Sequence, residues 1–289
     1  MPRHRTGYIP VVQLTSLART LDPRLPSHRT AFMISAAAGA VAWGFAGPDW
    51  SDGLGAGFTA GVGAFLAWAI ARELDPDRPR SAAISGIFAG AAIILVGGVL
   101  LLPTTVVLVT ARVLHRSTGL PPTVFDLIAL PAVAFVSGTS IVGWSTGLAL
   151  AYAVARDHRL PEPAPRRQLI AAFLIAGAAT AATVINSPTG SWAVPSWSEW
   201  LILVIGLAAG MSLKIYAPRS TADHTGAPLE IRRLQSARLG TIGTGVFALL
   251  ITGGTGIAAL SPVWAALTGV AVWDRLGPDE VDHVASATE

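Results

Sequence analysis

The sequence predicts an all-α fold, a polytopic transmembrane helix bundle of about ten short helices in five hairpins, with the N-terminus and the C-terminus both cytoplasmic. Three observations lead there. Charged residues make up only 13% of the chain against 52% hydrophobic ones, and mean hydropathy is positive at +0.56, outside the roughly 25% charged composition of soluble domains. Charge is also segregated: long apolar runs without Lys, Arg, Asp or Glu alternate with short clusters that hold nearly every charge. Finally, one junction recurs, in which an apolar helix stops, a charged turn intervenes and a second apolar helix starts. Its fullest form is Arg72-Glu73-Leu74-Asp75-Pro76-Asp77-Arg78-Pro79-Arg80, echoed at Asp22-Pro23-Arg24 and more loosely at Arg112, Arg156-Asp157 and Asp274-Arg275.

Residues 1–29, with Arg3, Arg5, Arg19, Arg24 and Arg29, form a cytoplasmic N-terminal arm with a short interfacial helix over 11–20. Residues 30–275 are the helical bundle, and residues 276–289 an acidic, disordered cytoplasmic tail. The first apolar run, residues 31–47, follows a polar segment without a small-x-small cleavage site, which predicts a retained span. The first hairpin turns at Gly47-Pro48-Asp49 and returns through residues 58–71.

Residues 81–112 are too many for one untilted span of about 20 residues, and Gly97-Gly98 divides them. The same reasoning divides 123–156 at Ser137-Gly138-Thr139 and 241–273 at Gly253-Gly254-Thr255-Gly256. Helices of about 16 residues reach about 24 Å, short of a hydrocarbon core of about 30 Å. Thinning of the bilayer meets that shortfall. A hairpin over 167–186 and 200–216 carries a Trp-, Ser- and Pro-rich outer loop at 187–199, and 217–235 is a cytoplasmic loop.

This threading places all 20 Lys and Arg residues inside and leaves Asp49, Asp52 and Glu199 as the only outer charges, as the positive-inside rule requires. Trp50, Trp192, Trp197, Trp200 and Trp264 fall at the outer interface as an aromatic belt. Because lipid gives no hydrophobic drive for helix association, small residues must form the contacts. Gly57 and Gly61, Gly86 and Gly90, Gly143 and Gly147, and Gly206 and Gly210 each stand four apart on one helix face, and are assigned to packing. The partners that follow are the lipid bilayer of the cell membrane and a second copy or another membrane subunit. The pI of 9.9 does not imply nucleic acid, since the basic residues are dispersed over many turns.

Chemistry-bearing groups are few. With no Cys there is no disulfide, thiol nucleophile or Cys metal site. All six His fall on the inner side, no metal centre is expected, and no cofactor is implied. Lys214, the only lysine, stands near an inner helix end and snorkels. There is no P-loop, His-Glu-x-x-His or nucleophile elbow. Asp126, three residues into the helix over 123–135, either caps that helix or binds a cation or proton. With Pro103 and Pro131, each read as freeing a carbonyl within a span, it marks a transport site. Glu73, Asp75 and Asp77 form an acidic cytoplasmic turn that either neutralises its neighbouring arginines or holds Mg²⁺ for a diphosphate. Asp157-His158 is read as a solvated pair on a short loop.

The segment Ser261-Pro262-Val263-Trp264 running to Trp273-Asp274-Arg275-Leu276 resembles the Pro–apolar helix–Gly-Glu-Arg-Leu segment of drug/metabolite transporters, over less than a tenth of the chain. That resemblance implies transport. Asp274 stands where that family has Glu, and only a polar tail follows, so the chain is not assigned to it. Glu73-Leu74-Asp75-Pro76-Asp77 occupies an inner loop as the aspartate-rich motifs of intramembrane prenyltransferases do, without their Asn-Asp-x-x-Asp pattern. The expected function is permease-like passage of a small or amphipathic solute. The alternatives are a membrane-embedded enzyme acting at the cytoplasmic face on a lipid or isoprenoid diphosphate, and a non-catalytic membrane subunit.

Overall fold

The computed structural model describes residues 14–19, 21–47, 49–188 and 217–277, together with Ser196, Trp197, Trp200, Val204 and Gly210. Ten helices and no β-strand are present among the described residues. They are α1 (Pro26–Phe45), α2 (Trp50–Leu74), α3 (Pro79–Val96), α4 (Leu101–His115), α5 (Val124–Ser137), α6 (Ile141–Asp157) and α7 (Arg167–Asn186). After residue 230 come α8 (Ile231–Thr252), the short α9 (Gly254–Ala259) and α10 (Ser261–Leu276). Of the 167–216 hairpin, the returning segment 200–216 is described only at Trp200, Val204 and Gly210; Trp192, Glu199, Gly206, Lys214 and the tail from 278 lie outside the described residues.

Local chemistry sets the helix ends. Asp49 caps α2 by accepting from the Ser51 amide at 2.9 Å, and Ser140 caps α6 by accepting from the Gly143 amide at 3.0 Å. Glu230 takes the amides of Arg232 and Arg233 at the start of α8. Pro26 and Pro79 occupy first turns, where a missing N–H costs nothing. The helices break where the glycines stand. Gly97, Gly98 and Gly253 adopt φ of 68°, 69° and 58°, a region open to glycine at no steric cost. The break over 138–140 separates α5 from α6.

Two apolar cores result. One gathers α1, α2, α3 and α10 around Leu66, Ile70, Leu74, Val263 and Leu267; the other gathers α4 to α7 around Val113, Leu114, Leu127, Leu150, Val154 and Ile175. Helices α4 and α8 pack against each other and contribute to both. Glycines permit the closest approaches. A Cβ on Gly57 would stand 2.9 Å from the Gly39 carbonyl oxygen, and one on Gly61 would stand 3.0 Å from that of Ser35, so α1 and α2 meet backbone to backbone. Gly86 and Gly90 set α3 against Ile34 and Ala38 of α1. Gly147 meets Ala179 of α7, Gly143 faces the Ser137 carbonyl of its own turn, and Gly210 meets Ile242 of α8.

Four helices, α2, α3, α7 and α8, are long and apolar enough to cross a membrane. The outward surface is apolar: Met33, Leu95 and Phe173 are 71%, 83% and 80% exposed, and Phe58, Ile128 and Val184 are exposed as well. On a water-soluble monomer so much exposed apolar surface would be an aggregation liability, whereas lipid solvates it. The buried polar side chains collect largely at one end of the bundle.

The structure departs from the expected element map in four places. Residues 14–19 are irregular and show no interfacial helix. Helix α8 begins at Ile231, so the loop after residue 217 ends at Glu230 and not at Gln235. Pro103 lies in the first turn of α4, where no carbonyl is freed, while Pro131 lies inside α5. Trp264 faces inward beneath Gly245, whereas Trp50 and Trp197 are exposed as a belt residue would be.

Candidate functional site

Helices α2, α4, α6 and α8 each bring a charged side chain to the polar end, and two buried carboxylates organise them. Glu73, in the last turn of α2, is 0% exposed. Its Oε1 accepts from Arg19 Nη1 at 3.3 Å and Arg112 Nε at 3.2 Å, and its Oε2 lies 3.2 Å from His115 Nδ1. Asp157, the last residue of α6, is equally buried. It accepts from Arg116 Nη2 at 2.9 Å and Arg233 Nη1 at 2.7 Å. Isolated charges at this depth are very costly, so these sites persist because each charge has a hydrogen-bonded counter-charge. Arg233 spends its remaining donors on the carbonyls of Leu114, Pro161 and Glu162. Arg116 is held in the left-handed conformation at φ 52° while donating to the Glu162 carbonyl, and Glu162 itself has φ 55°. Such backbone is retained only where the surroundings impose it.

Two segments cover this network. The first is the strap 14–19. Asp126 receives it: its carboxylate accepts from the Thr15 hydroxyl and from the Ser16 amide and hydroxyl at 3.0 and 3.1 Å. The same carboxylate closes a capping box by accepting from the Thr123 amide at 2.8 Å. Arg112 Nη1 donates to the Leu17 carbonyl at 2.8 Å.

The second is the lid 217–230, folded on itself by an antiparallel bridge between Thr221 and Pro228. Asp77 accepts from the Arg219 and Ser220 amides at 2.9 and 2.8 Å, and the Asp223 and His224 amides donate to the carbonyls of Ser117 and Thr118. Gly119, at φ 84°, lies so close under Thr225 that a Cβ there would stand 2.2 Å from its Oγ1.

Arg19 joins strap, lid and bundle. Its Nε and Nη2 grip Asp223 of the lid at 2.6 and 2.9 Å while its Nη1 reaches Glu73. Burial acts to lower the Arg19 pKa, but the two carboxylates outweigh it and hold the guanidinium above its ordinary value. Beneath the lid lies a cavity of about 120 Å³ lined by His115, Arg116, Gly119, Ala222, Thr225 and Arg233, among others. His115 Nε2 and Arg116 Nε have no protein hydrogen-bond partner.

Comparison with protein-family models, with curated proteins and with solved structures finds no match to this chain.

The sequence-derived candidates take distinct places in this arrangement. Glu73, Asp75 and Asp77 share a turn but turn to different partners: Glu73 to α4 and the strap, Asp77 to the lid, and Asp75 into the interior at 1% exposure. Among the described residues no group of three or more His, Asp or Glu is arranged to hold a metal ion. Pro103 lies in the first turn of α4, nine residues and a rise of about 14 Å before Arg112, which reaches the strap that Asp126 holds. Pro131 lies one turn beyond Asp126, and the three do not converge. Asp157 is buried and not solvated, and its neighbour His158 turns away, Nδ1 lying 2.7 Å from the Ala164 carbonyl oxygen.

Sequence reasoning missed His115, Arg116 and Arg233 altogether. A signal was present, since Arg112, His115 and Arg116 stand at i, i+3 and i+4 and therefore share one helix face.

Proposed function

We propose that the protein is a multi-pass protein of the cell membrane that passes a small or amphipathic solute in the manner of a permease, with the polar end as its cytoplasmic gate. Ten spans in five hairpins, with both termini inside, fit the helix breaks at 97–100, 138–140 and 253 and the collection of charge at one end. The observation that carries the gate is Arg19: one side chain clasps the strap to Glu73 of the bundle and to Asp223 of the lid, beside a small pocket of about 30 Å³ that it lines with His28, Trp68, Glu73 and Arg112. The Asp223 contact of that clasp is partly exposed and weak enough to open, since such contacts contribute about 1 kcal/mol or less.

The second reading, a cytoplasmic-face enzyme acting on a lipid or isoprenoid diphosphate, draws on the Glu73–His115 pair. The divergence of Glu73, Asp75 and Asp77 weighs against it, because a metal-bound diphosphate needs convergent carboxylates.

The test is solute equilibration in proteoliposomes followed by light scattering, with a panel of small anions, cations, neutral solutes and amphiphiles. At least one solute equilibrates faster than in empty liposomes, and Arg19→Gln accelerates it further. If neither the natural protein nor R19Q moves any of them, the permease reading is wrong. Sidedness is read separately from single cysteines at Gly98, Thr139 and Thr255, which an impermeant maleimide labels in intact cells.

A further inference from the structure

A groove of about 460 Å³ runs between α6 and α8, away from the lid cavity. Its floor is apolar, with Leu114, Leu148 and Phe247, and Gly240 and Gly243 leave it deep; Tyr152 and Ser236 follow, and Arg156 stands at its polar mouth. Both helices carry the same gradient. On α6, Leu148, Tyr152 and Arg156 succeed one another at intervals of four; on α8, Phe247, Gly243, Gly240, Ser236 and, one turn further, Arg232 do so at intervals of three or four in the opposite chain direction. The two helices run antiparallel, so both arginines stand at the polar end. Neither Arg156 nor Arg232 has a carboxylate partner among the described residues, in contrast to Arg116 and Arg233 nearby. Gly210 meets α8 at Ile242, which is buried and does not line the groove.

We infer that this groove binds one anionic phospholipid from the leaflet at the polar end, the phosphate at Arg156 and Arg232 and an acyl chain along Tyr152, Gly243 and Phe247. The dimensions agree. Ser236 to Phe247 is a rise of about 16 Å at 1.5 Å per residue, and one leaflet contributes about half of the roughly 30 Å hydrocarbon core. The charge agrees as well, because basic sites between helices at the cytoplasmic side recognise anionic headgroups. The inference concerns binding alone and stands whether or not the protein moves a solute.

The experiment is native mass spectrometry of the full chain in detergent, titrated with phosphatidylglycerol and, separately, phosphatidylcholine of the same acyl chains. The natural protein retains one phosphatidylglycerol in preference to phosphatidylcholine. Arg156→Gln with Arg232→Gln lowers that preference roughly thirtyfold, at about tenfold per 1.4 kcal/mol and about 1 kcal/mol per arginine. Gly243 has nothing within 4 Å of a built Cβ, so Gly243→Leu fills the groove without a clash and abolishes retention of both lipids, while melting without lipid stays unchanged. Equal retention of the two lipids by the natural protein overturns the inference. So does undiminished retention by G243L, or a dimer that G243L disperses, which would assign the groove to a second copy.

Discussion

Asp157 and Arg233, 76 residues apart in the chain, meet at 2.7 Å with side chains 0% and 4% exposed. Neither element reaches this contact without the other. The carboxylate ends α6, and the guanidinium projects from the first turn of α8. Asp157→Asn leaves Arg116 and Arg233 buried without their counter-charge, and such losses cost about 3–5 kcal/mol. Denaturant or thermal midpoints in detergent check this. The triple variant Arg116→Met, Asp157→Leu, Arg233→Met loses less than Asp157→Asn, because it removes both buried cations along with their shared partner.

The clasp of Arg19 on Asp223 is half-exposed, with side-chain exposures of 22% and 35%. Its loss therefore changes lid opening by about fivefold, corresponding to about 1 kcal/mol. A cysteine at Ala222, on the buried side of the lid at 4% exposure, reports it: Asp223→Asn raises the maleimide labelling rate in inverted vesicles, and 1 M salt raises it without that substitution too. An unchanged rate would mean that Asp77 and the Ser117 and Thr118 carbonyls hold the lid unaided.

Gly57 and Gly44 make a matched pair. A side chain at Gly57 runs into the Gly39 carbonyl oxygen at 2.9 Å, whereas Gly44 has nothing within 4 Å. Gly57→Leu therefore forces α1 from α2 at about 1–3 kcal/mol, while Gly44→Leu is neutral, as melting curves of the two variants show.

Asp126 separates capping from charge. Asn retains a capping oxygen, so Asp126→Asn keeps α5 and the strap in place, while Asp126→Ala loses both at about 1–2 kcal/mol. Protease cleavage within residues 14–19 distinguishes them, rising in D126A and not in D126N. Solute flux lost in D126N with the strap intact would place the charge itself in the pathway.

At the opposite end, Asp49 caps α2, and the hydroxyl and amide of Ser51 hold its carboxylate below the ordinary aspartate value. A folded pKa below the unfolded one means that the cap stabilises fully above the unfolded value, near pH 4, and fades as pH falls through the folded value. Hydrogen exchange at the Ser51 to Gly53 amides, corrected for the intrinsic pH dependence of exchange, loses protection on acidification. In Ser51→Ala protection fades at a higher pH.

What could be read from the chain divides along a physical line. Helix breaks at Gly97-Gly98 and Gly253 follow from local backbone freedom, and the Thr123 and Asp126 cap from a three-residue spacing, so both were legible. The start of α8 was not. Arg232 and Arg233 read as a loop and Arg238 as lying outside any span because charge is costly there, yet Asp157 and the Leu74 carbonyl, 76 and 164 residues away, accommodate Arg233 and Arg238 inside α8. Glu73 could be placed on an inner turn, but its partners lie 39, 42 and 54 residues away. Only the folded chain brings them together.

The short helices have a consequence for the lipid around them. Helices α4 and α5, with 15 and 14 residues, reach only about 22 Å, against about 30 Å for undisturbed hydrocarbon. Under the proposed ten-span threading, a bilayer that meets the exposed face of α5, with Ile128 and Val136, dimples inward, so bulk water approaches it from both sides. On that threading the dielectric barrier is lowest there, and the thinning follows from helix length alone, without one charge placed at mid-depth.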